Sequence, residues 1–81
     1  MDHMAKIAVV AILIEDVSVS DQVNGLLHQY AEKIVGRMGI PYREKNVNII
    51  SVVMDATPDE INSLSGNLGR LSGVRVKVLT A

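Results

Sequence analysis

Ile7-Ala8-Val9-Val10-Ala11-Ile12-Leu13-Ile14 is an unbroken run of eight apolar residues. In a strand, successive side chains point to opposite faces of the sheet, so a strand wet on one side alternates apolar with polar. This one does not, and it predicts a strand from about Lys6 to Glu15 with both faces out of water. Eight residues are too few to span a bilayer, which takes about 20. Glu15 and Asp16 stand where an export signal would place a small-residue cleavage site. A chain of 81 residues can lay helices over one face of a sheet but hardly over two. The second face calls for a copy of the chain, a partner or a ligand, which points to a binding or regulatory module.

The remaining bulk properties narrow the classes. Residues 6–81 read as a single domain, and residues 1–5 as an expression remnant or disordered leader, because Met1-Asp2-His3 precedes a second Met4; His3 is therefore given no role. There is no Cys, which removes disulfides, thiolate metal sites and thiol nucleophiles, and fits a reducing cytoplasm. The net charge is −1 with scattered Lys and Arg, so no basic stripe is offered to nucleic acid. Tyr30 and Tyr42 are the only aromatic residues, too few for a base-stacking platform.

Working outward, Ser18 or Ser20 is positioned to cap a helix, with Asp21 in its first turn. Val23, Leu26, Leu27, Tyr30 and Ile34 recur at helical spacing, and Gly36 or Gly39 with Pro41 should end the helix. Ile40 to Lys45 reads as a short strand, placed at an edge because Pro41 removes a ladder donor. Lys45-Asn46 turns the chain. Val47 to Met54 is a second strongly apolar strand, interrupted by Asn48 and Ser51. Thr57-Pro58-Asp59-Glu60 combines an N-cap, a proline at the first helical position and a capping-box glutamate. Ile61, Leu64 and Leu68 supply the buried stripe that follows, with Leu71 just beyond it, and Gly66 and Gly69 are placed to allow close packing or an early stop. Gly73 leads into Val74-Arg75-Val76-Lys77-Val78, which alternates cleanly and suits an edge.

The element order βαββαβ with two right-handed crossovers is satisfied by the α+β ferredoxin-like fold, a four-stranded antiparallel sheet with both helices on one face. That topology centres the first and third strands, the two most apolar. The uncovered face then presents either Ile7, Val9, Ala11 and Leu13 or Ala8, Val10, Ile12 and Ile14, an exposed patch of the kind that marks an interface. A homodimer or tetramer packed through this face is expected.

Side-chain constellations for chemistry are sparse. The RNA-recognition fold shares this order but reads bases with strand aromatics, and the third strand here has none. Acylphosphatases share it too, yet Glu15-Asp16-Val17-Ser18-Val19-Ser20 lacks the Arg and Gly of their phosphate loop. With no phosphate-loop motif and no nucleophile beside a base, the chain reads as a non-enzyme. His28 and Glu32, four apart, are the one pair with metal-ligand character; a metal site needs three or four ligands, so His28 would serve only where copies meet at a symmetric interface. Gly36-Arg37-Met38-Gly39-Ile40-Pro41-Tyr42-Arg43-Glu44 is read as a rigid corner in which Arg37, Tyr42 and Arg43 bring two guanidinium groups and a phenol together. Such a corner suits an anion or a partner's carboxylate.

Ile34 to Tyr42 with its G-R-M-G-I-P-Y block, Val47 to Asp55, and Asp59-Glu60-Ile61 through Gly69-Arg70-Leu71 to Lys77 resemble the small regulators assigned to the iron-only hydrogenase system, over nearly the whole chain after residue 5. The resemblance implies an ACT-like fold, similar also to the C-terminal domain of the nickel-responsive repressor, and an oligomeric regulatory module. Val17-Ser18 replaces the glycine usual in amino-acid-binding ACT domains, and one His without Cys does not reproduce the repressor's metal set. The repressor's DNA-binding segment is absent. The expectation is a cytoplasmic module that self-associates and acts through a partner protein or small ligand near Arg37, Tyr42 and Arg43, with no direct contact to nucleic acid or membrane and with its cofactors unspecified; the alternative is a metal sensor using His28.

Overall fold

The first strand, β1 (Lys6–Ile14), is paired along both of its edges in the computed structural model, which describes residues 4–81. The reading of Met1-Asp2-His3 lies outside the described residues. β1 runs antiparallel to β3 (Val47–Ala56) on one side and to β4 (Val74–Thr80) on the other, so that Val10 stands between Val52 and Val78. β2 (Ile34–Tyr42) flanks β3, and the sheet order is β2-β3-β1-β4. The two most apolar strands are central, as their composition demands, and the topology is ferredoxin-like.

The helices α1 (Ser20–Gln29) and α2 (Pro58–Gly69) settle which set of β1 residues is buried. Ala8, Val10, Ile12 and Ile14 lie in one core with Ile50, Val52, Met54 and Ala56 of β3, Val23 and Leu27 of α1, and Ile61, Leu64 and Leu68 of α2. Each large side chain so buried contributes about 1.5–3 kcal/mol relative to exposure. Ile7, Val9, Ala11 and Leu13 take the other face.

Several local expectations are revised. The first helix does not reach Gly36 or Gly39: it ends at Gln29, a 3-10 turn covers Ala31–Lys33, and Ile34–Tyr42 is strand. The stripe from Val23 to Ile34 misleads because Tyr30 and Ile34 reach the same core from the turn and from the strand start. Beyond them, β-branched Ile34 and Val35 and two glycines are poor helix formers, and the open edge of β3 offers them a ladder. The strand expected over Ile40–Lys45 is therefore β2 itself, with a bulge between Ile34 and Gly36, and Arg43–Lys45 forms a 3-10 turn. Pro41 does sit in an edge strand, opposite Asn48, and Asn46 takes the left-handed conformation that the turn requires (φ 55°).

Neither serine caps α1. Asp16 caps the preceding 3-10 turn (Val17–Val19), accepting hydrogen bonds from the Ser18 hydroxyl (2.6 Å) and backbone N–H (3.0 Å), which hold its carboxyl below its usual pKa. The helix continues from that turn with no side-chain cap at Val19. Gly66 and Gly69 provide no close approach, since a Cβ at either would meet nothing within 4 Å. Gly73 is different: its φ is +75°, its carbonyl accepts from the Glu15 N–H at 2.7 Å, and an added Cβ would stand 2.6 Å from Asp16 Cβ.

The capping box of α2 is complete. The Glu60 N–H donates to Thr57 Oγ1 (3.2 Å) and the Thr57 N–H to Glu60 Oε1 (2.9 Å). Lys33 Nζ approaches Glu60 Oε2 to 3.6 Å, tying the turn before β2 to the start of α2. The Thr57 backbone N–H is the main reason that the Glu60 carboxyl titrates below its ordinary value of 4.5.

Thr57→Ala should lower stability by about 1 kcal/mol, a fall in Tm of roughly 4–8 °C for a domain of this size, measured by thermal circular dichroism. A carboxylate with a depressed folded pKa stabilises fully above its unfolded pKa, and the contribution disappears as pH falls through the folded value. Tm should therefore decline on acidification below about 4.5. Glu60→Gln should reduce that slope without abolishing it, because Asp16 acts in the same direction. Gly73→Ala should destabilise by about 1–3 kcal/mol through its backbone conformation alone, with the Asp16 clash in addition; an unchanged melting curve would contradict this account of the turn.

Candidate functional site

Strand parity sorts the remaining residues onto two surfaces. On the face away from the helices, β2 contributes Met38, Ile40 and Tyr42, β3 Ile49 and Val53, β1 Ile7, Val9 and Leu13, and β4 Leu79. Across the sheet these align in rows, Ile40–Ile49–Leu13 and Val53–Val9–Leu79 among them. Met38 is 60% exposed and Leu79 72%, and even central Leu13 keeps 40% of its surface in water. Among the described residues no helix lies over this face: α1 and α2 both pack into the core on the other side. Charge is confined to the margins, at Asp55 opposite Ile7 and at Arg75 and Lys77 on edge strand β4. Arg75 pairs with Glu15 at 3.3 Å, an exposed bridge worth little.

The second surface is a cleft of about 290 Å³ on the helix side, between α1 and β2. Arg37, Gly39 and Pro41 of β2 form one wall, Ser20 and Asn24 of α1 the other, and Ile14, Asn48 and Ile50 the inner end. It exists because α1 is short and buries Val23 and Leu27 over the central strands, leaving the helix side of β2 uncovered. Arg37 Nη2 donates to Asn24 Oδ1 at 2.8 Å across the cleft. Asn48 Nδ2 donates to Ser20 Oγ at 3.1 Å, fastening the first turn of α1 to β3.

The structure divides the three residues singled out as ligand or partner contacts. Arg37 points into the cleft; Tyr42, five positions along an extended strand, lies on the opposite face at the rim of the apolar surface; Arg43 opens the 3-10 turn beyond it. The presumed corner is strand for most of its length, which is why nearness in sequence does not become nearness in space. Asn24, Ser20 and Gly39 went unremarked as site residues. Their signals were present: Ser20 and Asn24 are four apart on one helix face, and Gly39 shares strand parity with Arg37. Asn48, which interrupts an apolar strand, is the polar contact to α1.

His28 is exposed in the last turn of α1, and Glu32 belongs to the separate turn after the helix, so the two do not share a helix face. Among the described residues no three His, Asp or Glu side chains gather in a metal-binding arrangement. No helix among them is long and apolar enough to cross a membrane.

These features define a small α+β domain of ferredoxin-like, ACT-like topology with one largely apolar sheet face and a cleft between α1 and β2 that holds Arg37. Residues 6–78 match the TM1266-like family, described as "Iron-only hydrogenase system regulator, putative", and the chain belongs to that family. Among solved structures it is similar to the uncharacterized protein TM1266 from Thermotoga maritima, with 40% identity and a TM-score of 0.90 over 94% of this chain and 96% of that one. It is also similar to the C-terminal domain of the MgtC protein from Mycobacterium tuberculosis, with a TM-score of 0.75 over 100% of this chain and 93% of that domain. At 15% identity that second likeness shows the fold alone. No curated protein matches the chain.

Proposed function

We propose that this chain is a non-catalytic regulatory module of an iron-only hydrogenase system, which works in the cytoplasm as a homo-oligomer and passes its signal to a partner protein. The family match supports the regulatory role. The observation that carries the assembly is the open sheet face: exposed aliphatic residues on β1, β2 and β4 and half-buried ones on β3, with charge only at the margins.

Magnitudes favour a second copy as its cover. Four strands about 4.8 Å apart, with roughly 3.4 Å of rise over the paired length, present about 450 Å² in flat projection. Two such faces bring about 900 Å² together before side-chain relief is added, near the lower bound of a specific interface. Sheets packed in this way interdigitate their side chains at about 10 Å separation. The same surface suits two-fold symmetry, since each row of aliphatics can meet its own copy. Tyr42 lies at the rim of this face and Arg43 in its adjoining turn, and in this reading they would meet a partner's carboxylate beside the assembly interface.

Sedimentation equilibrium of the wild type at micromolar concentration should give a dimer or tetramer. Val9→Asp, on central strand β1 between Val53 and Leu79, places a charge in the interface and should yield a monomer with an unchanged far-ultraviolet circular dichroism spectrum. A wild-type monomer would remove the self-association from this reading.

A further inference from the structure

We propose that the cleft between α1 and β2 binds a small aliphatic carboxylate, with the Arg37 guanidinium as its anion partner. The inference supplies a ligand class to the regulatory reading and rests on it for its purpose. The binding itself is separable, because the cleft opens on the helix side of the sheet and shares with the assembly face only Ile40 and Ile49 of its lining.

Charge is the first ground. Arg37 is oriented by Asn24, a neutral acceptor that fixes the guanidinium without compensating it. The two ion pairs among the described residues are Lys33–Glu60 and Arg75–Glu15, and neither involves Arg37. Apart from the bond to Asn24, its N–H groups make no hydrogen bond within the described residues. A planar fork of donors with a fixed orientation matches a carboxylate, which accepts two parallel bonds. Ser20, which lines the cleft, adds a donor: its Oγ accepts from Asn48, and its own O–H remains free to donate.

Shape and polarity decide the rest of the ligand. Pro41 on the β2 wall, and what little of Ile14 and Ile50 reaches solvent at the inner end, give the cleft a partly aliphatic lining. A phosphate would leave charged oxygens against that lining and a sugar its hydroxyls, whereas a short hydrocarbon body gains by burial. A single cation suits a monoanion better than a phosphate dianion. About 290 Å³ lies at the small end of ligand pockets, which run from roughly 300 to 1,000 Å³, so the body is short. The space is kept open by Gly39: a Cβ there would meet nothing within 4 Å, and any larger side chain would project into the volume that the ligand needs. Its φ lies outside the left-handed region, so a substitution at this position is not strained.

Titration of the uniformly 15N-labelled protein with 3-methylbutanoate, followed by amide chemical shifts, tests the assignment. Saturable shifts are expected at Ser20, Asn24 and Gly39, with little response to 3-methylbutanol, which has the same body without the charge, and weaker binding of inorganic phosphate. Arg37→Gln, which retains an amide donor toward Asn24, should weaken carboxylate binding by roughly tenfold or more and leave Tm unchanged. Gly39→Leu should block binding while preserving the fold. Shifts that do not saturate, an Arg37→Gln variant that binds like wild type, or phosphate binding more tightly than the carboxylate would each overturn the proposal. The oligomeric state, measured on the same samples, reports separately on the assembly.

Discussion

Antiparallel pairing of β1 along both edges is the constraint from which the rest of the molecule follows. A strand with two hydrogen-bonded neighbours is interior to its sheet, and β1 is apolar at every position from Ile7 to Ile14. One face of that strand is satisfied by helices α1 and α2, which converge on Val10 and Ile12. Among the described residues no third layer covers the other face. Ile7, Val9 and Leu13 are therefore exposed by topology, and their hydrophobicity is unnecessary for the fold as a monomer. A sheet of this size with one dry face would accept polar residues on the other, as antiparallel sheets commonly do. Here Ser51 is the polar residue within the open face and Asp55, Arg75 and Lys77 lie at its margins, while most of the other positions are aliphatic.

Local devices hold this arrangement in register. The capping box at Thr57 and Glu60 sets where α2 begins, and Lys33 joins that point to the turn preceding β2. Gly73 and Asp16 meet at the other end of the molecule, where the approach to β4 crosses the exit from β1. These contacts are small individually, but a domain of this length buries only about 60–65% of its unfolded surface and has little stability in reserve. Self-association would then do two things together, covering the apolar face and adding to stability by mass action.

The two surfaces are organised by one geometric fact, the alternation of side chains along β2. Met38, Ile40 and Tyr42 face the open side; Arg37, Gly39 and Pro41 face α1. A single edge strand thus contributes both to the assembly face and to the cleft. An occupant of the cleft that shifts β2 would reach the opposite face directly, since both are built on the same backbone. That is a physical route by which binding in the cleft would be converted into a change in assembly.

The βαββαβ order, the central placement of β1 and β3, the capping box at Thr57, the left-handed Asn46 and the turn at Gly73 were all legible from the chain alone, because each depends on residues within a few positions of one another or on the polarity of a whole strand. The family was legible as well, through the block from Gly36 to Tyr42. The length of α1 was not, since the apolar stripe from Val23 to Ile34 fits a helix and also fits a helix followed by a turn and a strand that reach the same core; only the free edge of β3 decides between them. The same ambiguity hid the site. Read as a corner, Arg37, Tyr42 and Arg43 belong together; read as a strand, Arg37 and Tyr42 part to opposite faces, and Arg37 finds Asn24 thirteen residues away. Sequence by itself determined which residues must leave water and what local turns they require. Which side of the sheet each surface residue occupies, and with whom, was decided by tertiary pairing, because a shift of one position in an extended strand reverses every side chain.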